Sequence, residues 1–170
     1  MHGVVNKAIE SFVRDTYAPA VWEEVSAAAR LGTTSFEAML LYDADTTDRV
    51  IDAAVACIGK PRDALLEDLG IYLVSHPRYE ALRRLLRFDI VPIRLHTLDP
   101  GRYELCCGPG WTGFGHVLAG GLRAMADDYG ALVTMSLLSE TEDGHACLEL
   151  TLHETHHSRG RSFDLTARPA

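Results

Sequence analysis

Apolar residues in the first half of the chain recur every three or four positions, the spacing of one face of an α-helix. The first such stretch predicts a helix over residues 2–17, with Val5 and Ile9 on its buried face. Pro19 fits the first turn of a second helix, which Gly32 ends. Further helices are predicted at residues 45–59, where Asp45, Thr46, Thr47 and Asp48 can cap the first turn, at residues 61–77, and over a short basic stretch at residues 79–87.

After Phe88 the pattern changes from helical to alternating, which is typical of strands with one buried face. The turn residues Asp99-Pro100-Gly101 predict a hairpin between strands at residues 92–96 and 102–106. A second pair of strands is predicted at residues 131–138 and 146–153, and a glycine-rich helix at 113–129 separates the two pairs.

This order of elements predicts an α+β fold. We expect a helical subdomain at residues 1–88, packed on an antiparallel sheet with one covering helix at residues 89–170. The two subdomains are expected to form one integrated domain.

Composition narrows the possible functions. The chain has 170 residues, of which 47% are hydrophobic, enough for one domain with a real core. A net charge of −8 disfavours binding to nucleic acid or anionic lipid. No apolar run approaches the roughly 20 residues that span a bilayer, and no signal-peptide pattern is present, so we expect a cytoplasmic protein. Small ligands and proteins remain as the possible classes of binding partner.

The four cysteines show no C-x-x-C spacing. Cys106 and Cys107 are adjacent, which is a poor geometry for a bridge between them. We therefore expect Cys57, Cys106, Cys107 and Cys147 to be buried, reduced thiols. Redox sensing at the adjacent pair, shortly before a helix start, stays open as an alternative.

The segment His153-Glu154-Thr155-His156-His157 matches the H-E-x-x-H pattern of zinc proteases. That pattern requires a helix, on which histidines four residues apart share a face. Residues 146–153 alternate between apolar and polar, which predicts a strand instead. The glycines of the chain match neither a phosphate-binding loop nor the Rossmann spacing, and we predict that the protein is not an enzyme.

Two stretches, "MHGVVNKAIESFV" and "IGKPRDALLEDLGIYLV", together with Trp22 between them, resemble the heme-nitric oxide/oxygen binding (H-NOX) family. The resemblance implies that two subdomains clasp a heme and that gas binding at the iron signals to a partner, such as a histidine kinase or a cyclic-nucleotide enzyme. It also implies a set of pocket-wall residues. These are Val5, Ile9, Phe114, Val117 and Leu118.

The residues that hold heme in the family have no counterparts here. The family's ligand histidine belongs to a helix that would fall between Phe88 and Pro92, and its Tyr-x-Ser-x-Arg motif for the heme propionates would fall at residues 104–108, which read ELCCG. Either the chain is a relative that has lost heme, or a segment is missing from this sequence. His116 and His96 are weak candidates for an iron ligand in its place.

The resemblance therefore implies a heme-dependent sensor of nitric oxide. Nitric oxide is favoured over oxygen because neither Tyr nor Trp, whose side chains could hydrogen-bond to bound oxygen, occupies the Ile9 position. The alternative is a heme-free module of the same fold that binds another hydrophobic ligand or a protein partner.

Overall fold

Four helices come first in the computed structural model, which describes residues 3–43, 45–75 and 91–154. They are α1 (Gly3–Thr16), α2 (Pro19–Ala28), α3 (Thr46–Ile58) and α4 (Arg62–Ser75). The four helices predicted up to residue 77 are confirmed, although α2 ends at Ala28 and does not run on to Gly32. The helix predicted at residues 79–87 lies outside the described residues.

The start of α3 differs from the prediction. Asp45 occupies the N-cap position but makes no capping hydrogen bond with the residues that the structure describes. Thr47 is fully buried instead, and its hydroxyl donates to Oδ1 of Asn6 in α1 at 2.7 Å. The cluster of oxygen-bearing side chains thus ties α3 to α1. At the other end, Gly59 stops α3 with a φ of +73°, a conformation that favours glycine.

A four-stranded antiparallel sheet and one helix follow. The strands are β1 (Ile93–Asp99), β2 (Arg102–Cys107), β3 (Leu132–Glu140) and β4 (Ala146–Glu154), and α5 (Phe114–Tyr129) lies between β2 and β3 in the chain. The spatial order is β1-β2-β4-β3. The structure therefore confirms the predicted α+β class, with both predicted strand pairs and the covering helix.

Strand alternation gives the sheet an inner face, under α5, and an outer face. Leu105, Leu148 and Leu137 stand opposite one another across β2, β4 and β3 on the inner face. They pack against Ala119, with Leu118 and Leu122 beside them. The alternating pattern in the sequence is thus explained by burial of one face against α5.

The outer face carries a disulfide bond between Cys106 and Cys147, which are paired across β2 and β4. The prediction of reduced thiols is therefore wrong for these two residues. Cys57 and Cys107 are free thiols. Cys107 is buried, as predicted, but the prediction of burial is wrong for Cys57, which is exposed. Burial raises the pKa of the Cys107 thiol, which keeps it protonated.

The helical half and the sheet half meet at the crossing of α4 and α5. A Cβ atom on Gly70 would overlap the carbonyl oxygen of Val117, and one on Gly120 would overlap that of Glu67. Only glycine permits so close an approach of two helix backbones. Val117 and Trp111 consequently belong to the same buried cluster as the helical half.

The predicted division at residues 88 and 89 stays a prediction, because it falls within the undescribed segment 76–90. No helix in the described residues is long and apolar enough to cross a membrane.

Candidate functional site

A cavity of about 480 Å³ lies between the helical half of the chain and the sheet half. We call it the central cavity. Its wall on the helical side consists of Val5, Ala8, Leu69, Gly70, Leu73 and Val74. The opposite wall consists of Val91, Pro92, Ile93, Arg94, Trp111, Phe114, Val117, Leu118, Gly121, Leu122 and Met125. Both halves of the molecule thus contribute to one apolar space.

Four of the five predicted pocket-wall residues line this cavity: Val5, Phe114, Val117 and Leu118. Ile9 is buried in the helical core, one turn along α1 from Val5, and is not among the lining residues. The structure therefore brings together residues more than 100 positions apart. Whether they bind a ligand stays a prediction.

Helix α5 supplies much of the wall because its N-terminal half crosses α4 at close range. Gly70 and Gly120 permit this contact, and an ion pair between Arg123 and Glu67 joins the same two helices. The crossing fixes the depth at which Val117 and Gly121 enter the cavity.

Trp111 lies on the loop of residues 108–113, the Trp111 loop, which connects β2 to α5. The turn between β3 and β4 holds this loop through three hydrogen bonds. The N–H of Gly110 donates to the Asp143 carbonyl at 3.1 Å, the Thr112 hydroxyl donates to the Glu142 carbonyl at 3.1 Å, and the N–H of Gly113 donates to the Glu140 carboxylate at 2.7 Å. These bonds hold the indole ring against the cavity.

Trp111 is almost fully buried, with only 5% of the residue exposed. Its Nε1 has no hydrogen-bond partner among the residues that the structure describes. A buried donor without a partner is uncommon, since buried polar groups in native structures are nearly always hydrogen-bonded. The nitrogen itself is enclosed, so it is other atoms of Trp111 that line the central cavity.

Arg94 is the one charged residue among the described lining residues. It stands opposite Cys106, whereas its neighbour Leu95 stands opposite the inner-face residue Leu105. Because successive strand residues point to opposite faces, the Arg94 side chain belongs to the outer face with the disulfide. Arg94 nevertheless lines the cavity, so the described wall includes one residue that bears a positive charge.

The candidate histidines do not reach the central cavity. His96 is exposed on β1, opposite Glu104 on the outer face. His116 lies on α5 next to Val117 but faces the Glu140 carboxylate at 3.9 Å and does not line the cavity.

The first two residues of the zinc-protease pattern lie on a strand, as predicted. His153 and Glu154 end β4, and His153 Nε2 is 2.9 Å from the Thr134 hydroxyl on β3. Residues 155–157 lie outside the described part. Within the described ranges, no group of three His, Cys, Asp or Glu side chains is placed to hold a metal ion.

Sequence reasoning missed Trp111, Met125 and the α4 residues of the cavity wall. Trp111 carries no periodic signal, because it sits alone in a loop rich in glycine and proline. A large aromatic residue between Gly110 and Gly113 is itself a signal, since an exposed loop seldom needs one.

Comparison with known proteins decides the family. A family model described as haem-NO-binding matches residues 2–90, slightly more than half of the chain. The chain belongs to the haem-NO-binding family. This confirms the H-NOX resemblance. No curated protein matches the chain.

Solved H-NOX structures share the fold. A point mutant of the H-NOX protein from K. algicida, in the unliganded Fe(II) form, has 10% identity and a TM-score of 0.73, over 92% of this chain and 99% of that one. Two structures of the S. oneidensis H-NOX protein also match, each with 13% identity to this chain. Its Fe(II) mutant gives a TM-score of 0.72 over 91% of this chain and 97% of that one, and its Fe(II)NO form gives 0.71 over 91% and 100%. At these identities the likeness shows the fold alone.

Proposed function

We propose that this chain is a sensory module, not an enzyme, in which a molecule bound in the central cavity changes the position of the helices relative to the sheet. The observation that carries the proposal is the shared cavity wall, with Val5 and Leu73 on one side and Phe114 and Met125 on the other. A ligand that contacts both halves binds most tightly to one arrangement of them, so its occupancy shifts the arrangement. A partner protein, such as a histidine kinase or a cyclic-nucleotide enzyme, reads that change.

The described residues do not fit heme as the ligand. Heme iron requires an axial ligand, usually an imidazole or a thiolate. The described lining contains no histidine or cysteine, and its only sulfur is the Met125 thioether. The two heme propionates require cations or several donors. Among the described lining residues Arg94 is the one cation, and its place on β1 directs its Cβ to the opposite face of the sheet.

The ligand supported by the cavity is therefore an apolar molecule other than heme. A volume of about 480 Å³ lies within the range of small-molecule sites. The apolar wall favours a ligand that buries hydrocarbon surface, since this is the main source of binding free energy available there.

Heme-dependent sensing of nitric oxide is the second candidate. It is favoured by the haem-NO-binding match, which covers nearly all of the helical half. In this case the iron ligand has to come from outside the described residues, where His76 is one histidine in the sequence. Nitric oxide is preferred to oxygen here, because Val5 in the cavity wall offers bound oxygen no side-chain hydrogen-bond donor.

An absorption spectrum separates the two candidates. The protein is expressed with a heme supply, and its full-length mass is checked by mass spectrometry. A Soret band that shifts with nitric oxide establishes the second candidate, and the absence of a Soret band excludes it.

Binding of an apolar ligand is tested with the neutral fluorescent probe N-phenyl-1-naphthylamine. Ala8 lines the cavity, so Ala8→Trp fills part of it, whereas Ala20→Trp places the same side chain on the exposed start of α2. We expect the fluorescence increase of the wild type to persist in Ala20→Trp and to be lost in Ala8→Trp, with both variants folded by circular dichroism. Equal binding by the two variants would show that the probe binds elsewhere.

A further inference from the structure

We infer that the loop of residues 37–43, the Met39 loop, is a docking surface for a partner protein, which binds it with an amphipathic helix rich in lysine or arginine. This inference deepens the proposed function and rests on it, because it assigns the surface through which the sensory module contacts its partner. The loop connects α2 to α3 and contributes no residue to the described wall of the central cavity.

The first argument is the exposure of three consecutive apolar residues. Met39, Leu40 and Leu41 are 79%, 55% and 73% exposed. Single exposed apolar residues, such as Leu132 and Leu138 on β3, are normal on a protein surface. A contiguous apolar patch is not, and it usually marks a site of interaction.

The second argument is that the Met39 loop is held in this conformation. Before it, the buried ring of Phe36 packs edge-on against Tyr42, with 5.0 Å between the ring centroids. Across it, the N–H of Glu37 donates to the Tyr42 hydroxyl at 2.9 Å, and the N–H of Leu40 donates to the Glu37 carbonyl at 3.2 Å. A loop braced in this way loses little conformational freedom when a partner covers it.

The third argument is the charge around the patch. Residues 31–48 contain four acidic residues, Glu37, Asp43, Asp45 and Asp48, and no lysine or arginine. Asp45 and Asp48 form ion pairs with arginines. The carboxylates of Glu37 and Asp43 are exposed and have no ion-pair partner in the described part of the chain. They flank the apolar residues on both sides.

This combination defines the chemistry of the partner. An amphipathic helix presents an apolar stripe with charged residues beside it, which matches an apolar patch between two carboxylates when those charges are positive. The same carboxylates would repel an anionic membrane surface. The Met39 loop therefore favours a basic helix of a protein over a lipid surface.

The fourth argument is the contact of the Met39 loop with α1. The N–H of Gly3 donates to the Leu40 carbonyl at 2.8 Å, and a Cβ atom on Gly3 would overlap the Glu37 carbonyl oxygen. Two turns of the same helix carry Val5 and Ala8, which line the central cavity. A displacement of α1 by a cavity ligand therefore acts directly on the backbone of the docking surface.

The first test uses a synthetic helical peptide of leucine and lysine, with the leucines on one face. Its dissociation constant is measured by calorimetry on the wild type and on two double variants that are folded by circular dichroism. We expect Leu40→Ser/Leu41→Ser to weaken binding by at least about tenfold, because it removes the centre of the interface. The matched control Leu132→Ser/Leu138→Ser removes the same side chains elsewhere and should bind as the wild type does.

The contribution of charge is tested with a second pair of variants. Glu37→Gln/Asp43→Asn should weaken binding of the same peptide by about three- to tenfold, and this loss should shrink at high salt. Glu24→Gln/Asp127→Asn is the control, since it makes the same change in net charge at exposed residues outside the Met39 loop. Equal losses in the two variants would show that the peptide responds only to the overall charge and would overturn the inference.

Methyl NMR of ¹³C-labelled methionine locates the bound peptide. We expect the largest shift at Met39. The largest shift at Met125 would place the peptide in the central cavity, where Met125 is a wall residue, and would overturn the inference.

Two further outcomes would also overturn the inference. One is equal affinity of Leu40→Ser/Leu41→Ser and its control for the peptide, or no binding by the folded wild type. The other is sedimentation of the wild type with phosphatidylcholine vesicles that is lost in Leu40→Ser/Leu41→Ser, which would assign the Met39 loop to a membrane. The peptide requires no cavity ligand, so its failure while N-phenyl-1-naphthylamine still binds would leave the proposed function intact.

Discussion

Gly120 in α5 packs directly against the backbone of Glu67 in α4, so closely that a Cβ atom on Gly120 would overlap the Glu67 carbonyl oxygen. The next residue, Gly121, has more room. Its nearest neighbours would be Cγ2 of Val74 at 3.4 Å and the carbonyl oxygen of Gly70 at 3.6 Å from an added Cβ. Two adjacent glycines on one helix thus have different structural roles.

We expect Gly120→Ala to lower the free energy of unfolding by about 1–3 kcal/mol, because α4 and α5 must separate to admit the methyl group. Gly121→Ala is the matched control. It should be neutral or stabilising, since alanine favours a helix by up to about 1 kcal/mol and its Cβ meets only ordinary contacts. Urea denaturation of both variants checks this difference. Equal stabilities for the two variants would contradict the close crossing.

The buried carboxylate of Glu10 fixes the loop after α2 onto α1. It accepts hydrogen bonds from the Phe36 N–H at 2.8 Å and the Ser35 hydroxyl at 3.0 Å, and it pairs with Arg14 at 3.1 Å. We expect Glu10→Gln to lower the free energy of unfolding by about 2–4 kcal/mol. The glutamine side chain carries no charge, and its NH₂ group would face the N–H and O–H donors from which the carboxylate now accepts.

Glu24→Gln is the control for this effect, since Glu24 is exposed on α2. It should change the unfolding free energy by less than about 0.5 kcal/mol. A small loss in Glu10→Gln, comparable to that of the control, would show that the carboxylate network contributes little.

The Cys106–Cys147 disulfide closes a long segment, because the two cysteines are 41 residues apart. We expect reduction to lower the free energy of unfolding by about 2–4 kcal/mol through greater freedom of the unfolded chain. The double variant Cys106→Ser/Cys147→Ser should be insensitive to the reductant.

Alkylation with iodoacetamide under native, non-reducing conditions gives an independent check. Mass spectrometry should find one label, on the exposed Cys57, because Cys107 is buried and its raised pKa keeps the thiol protonated. Three labels on folded protein would mean that the disulfide is absent.

The turn beside the Trp111 loop should respond to acid. Hydrogen bonds from Thr141 and then from His145 lower the pKa of Asp143 below its ordinary value of 3.8. A carboxyl group with a lowered pKa stabilises the fold above pH 3.8, and this contribution is lost as the pH falls through the lower folded-state value.

We therefore expect Asp143→Asn to have a lower Tm than the wild type at neutral pH. The difference should disappear once the pH lies below the folded-state pKa of the wild-type carboxyl. Glu142→Gln, at the neighbouring exposed side chain, should follow the wild type at every pH. A Tm difference for Asp143→Asn that persists unchanged in strong acid would rule out the carboxylate as its source.

The helices and strands could be predicted from the sequence because the spacing of apolar residues in each element reflects the burial of one of its faces. Val5 falls on the buried face of α1, and Val117 on that of α5, from period alone. The spacing of apolar residues within one helix does not indicate which other element it packs against. The H-NOX resemblance predicted that these two faces meet at one cavity, where the structure places both residues.

The disulfide and the role of Trp111 could not be predicted in the same way. Pairing Cys106 with Cys147 requires knowing that β2 lies beside β4, although β3 is the strand that precedes β4 in the chain. Trp111 is buried by contacts of its loop with residues about 30 positions away. Both features depend on long-range arrangement, which leaves no local pattern in the sequence.

The disulfide also helps to anchor one part of the cavity wall, the corner that carries Trp111. Cys106 lies two residues before the Trp111 loop, and Cys147 lies just after the turn that holds that loop. The corner that carries the indole is therefore anchored both covalently and by hydrogen bonds, whereas the helical wall is joined to the sheet half by non-covalent contacts alone in the described residues, among them the Gly70 and Gly120 contacts and the Arg123–Glu67 ion pair. We therefore expect a ligand that enlarges the cavity to displace α1 and α4 more readily than the corner that carries Trp111.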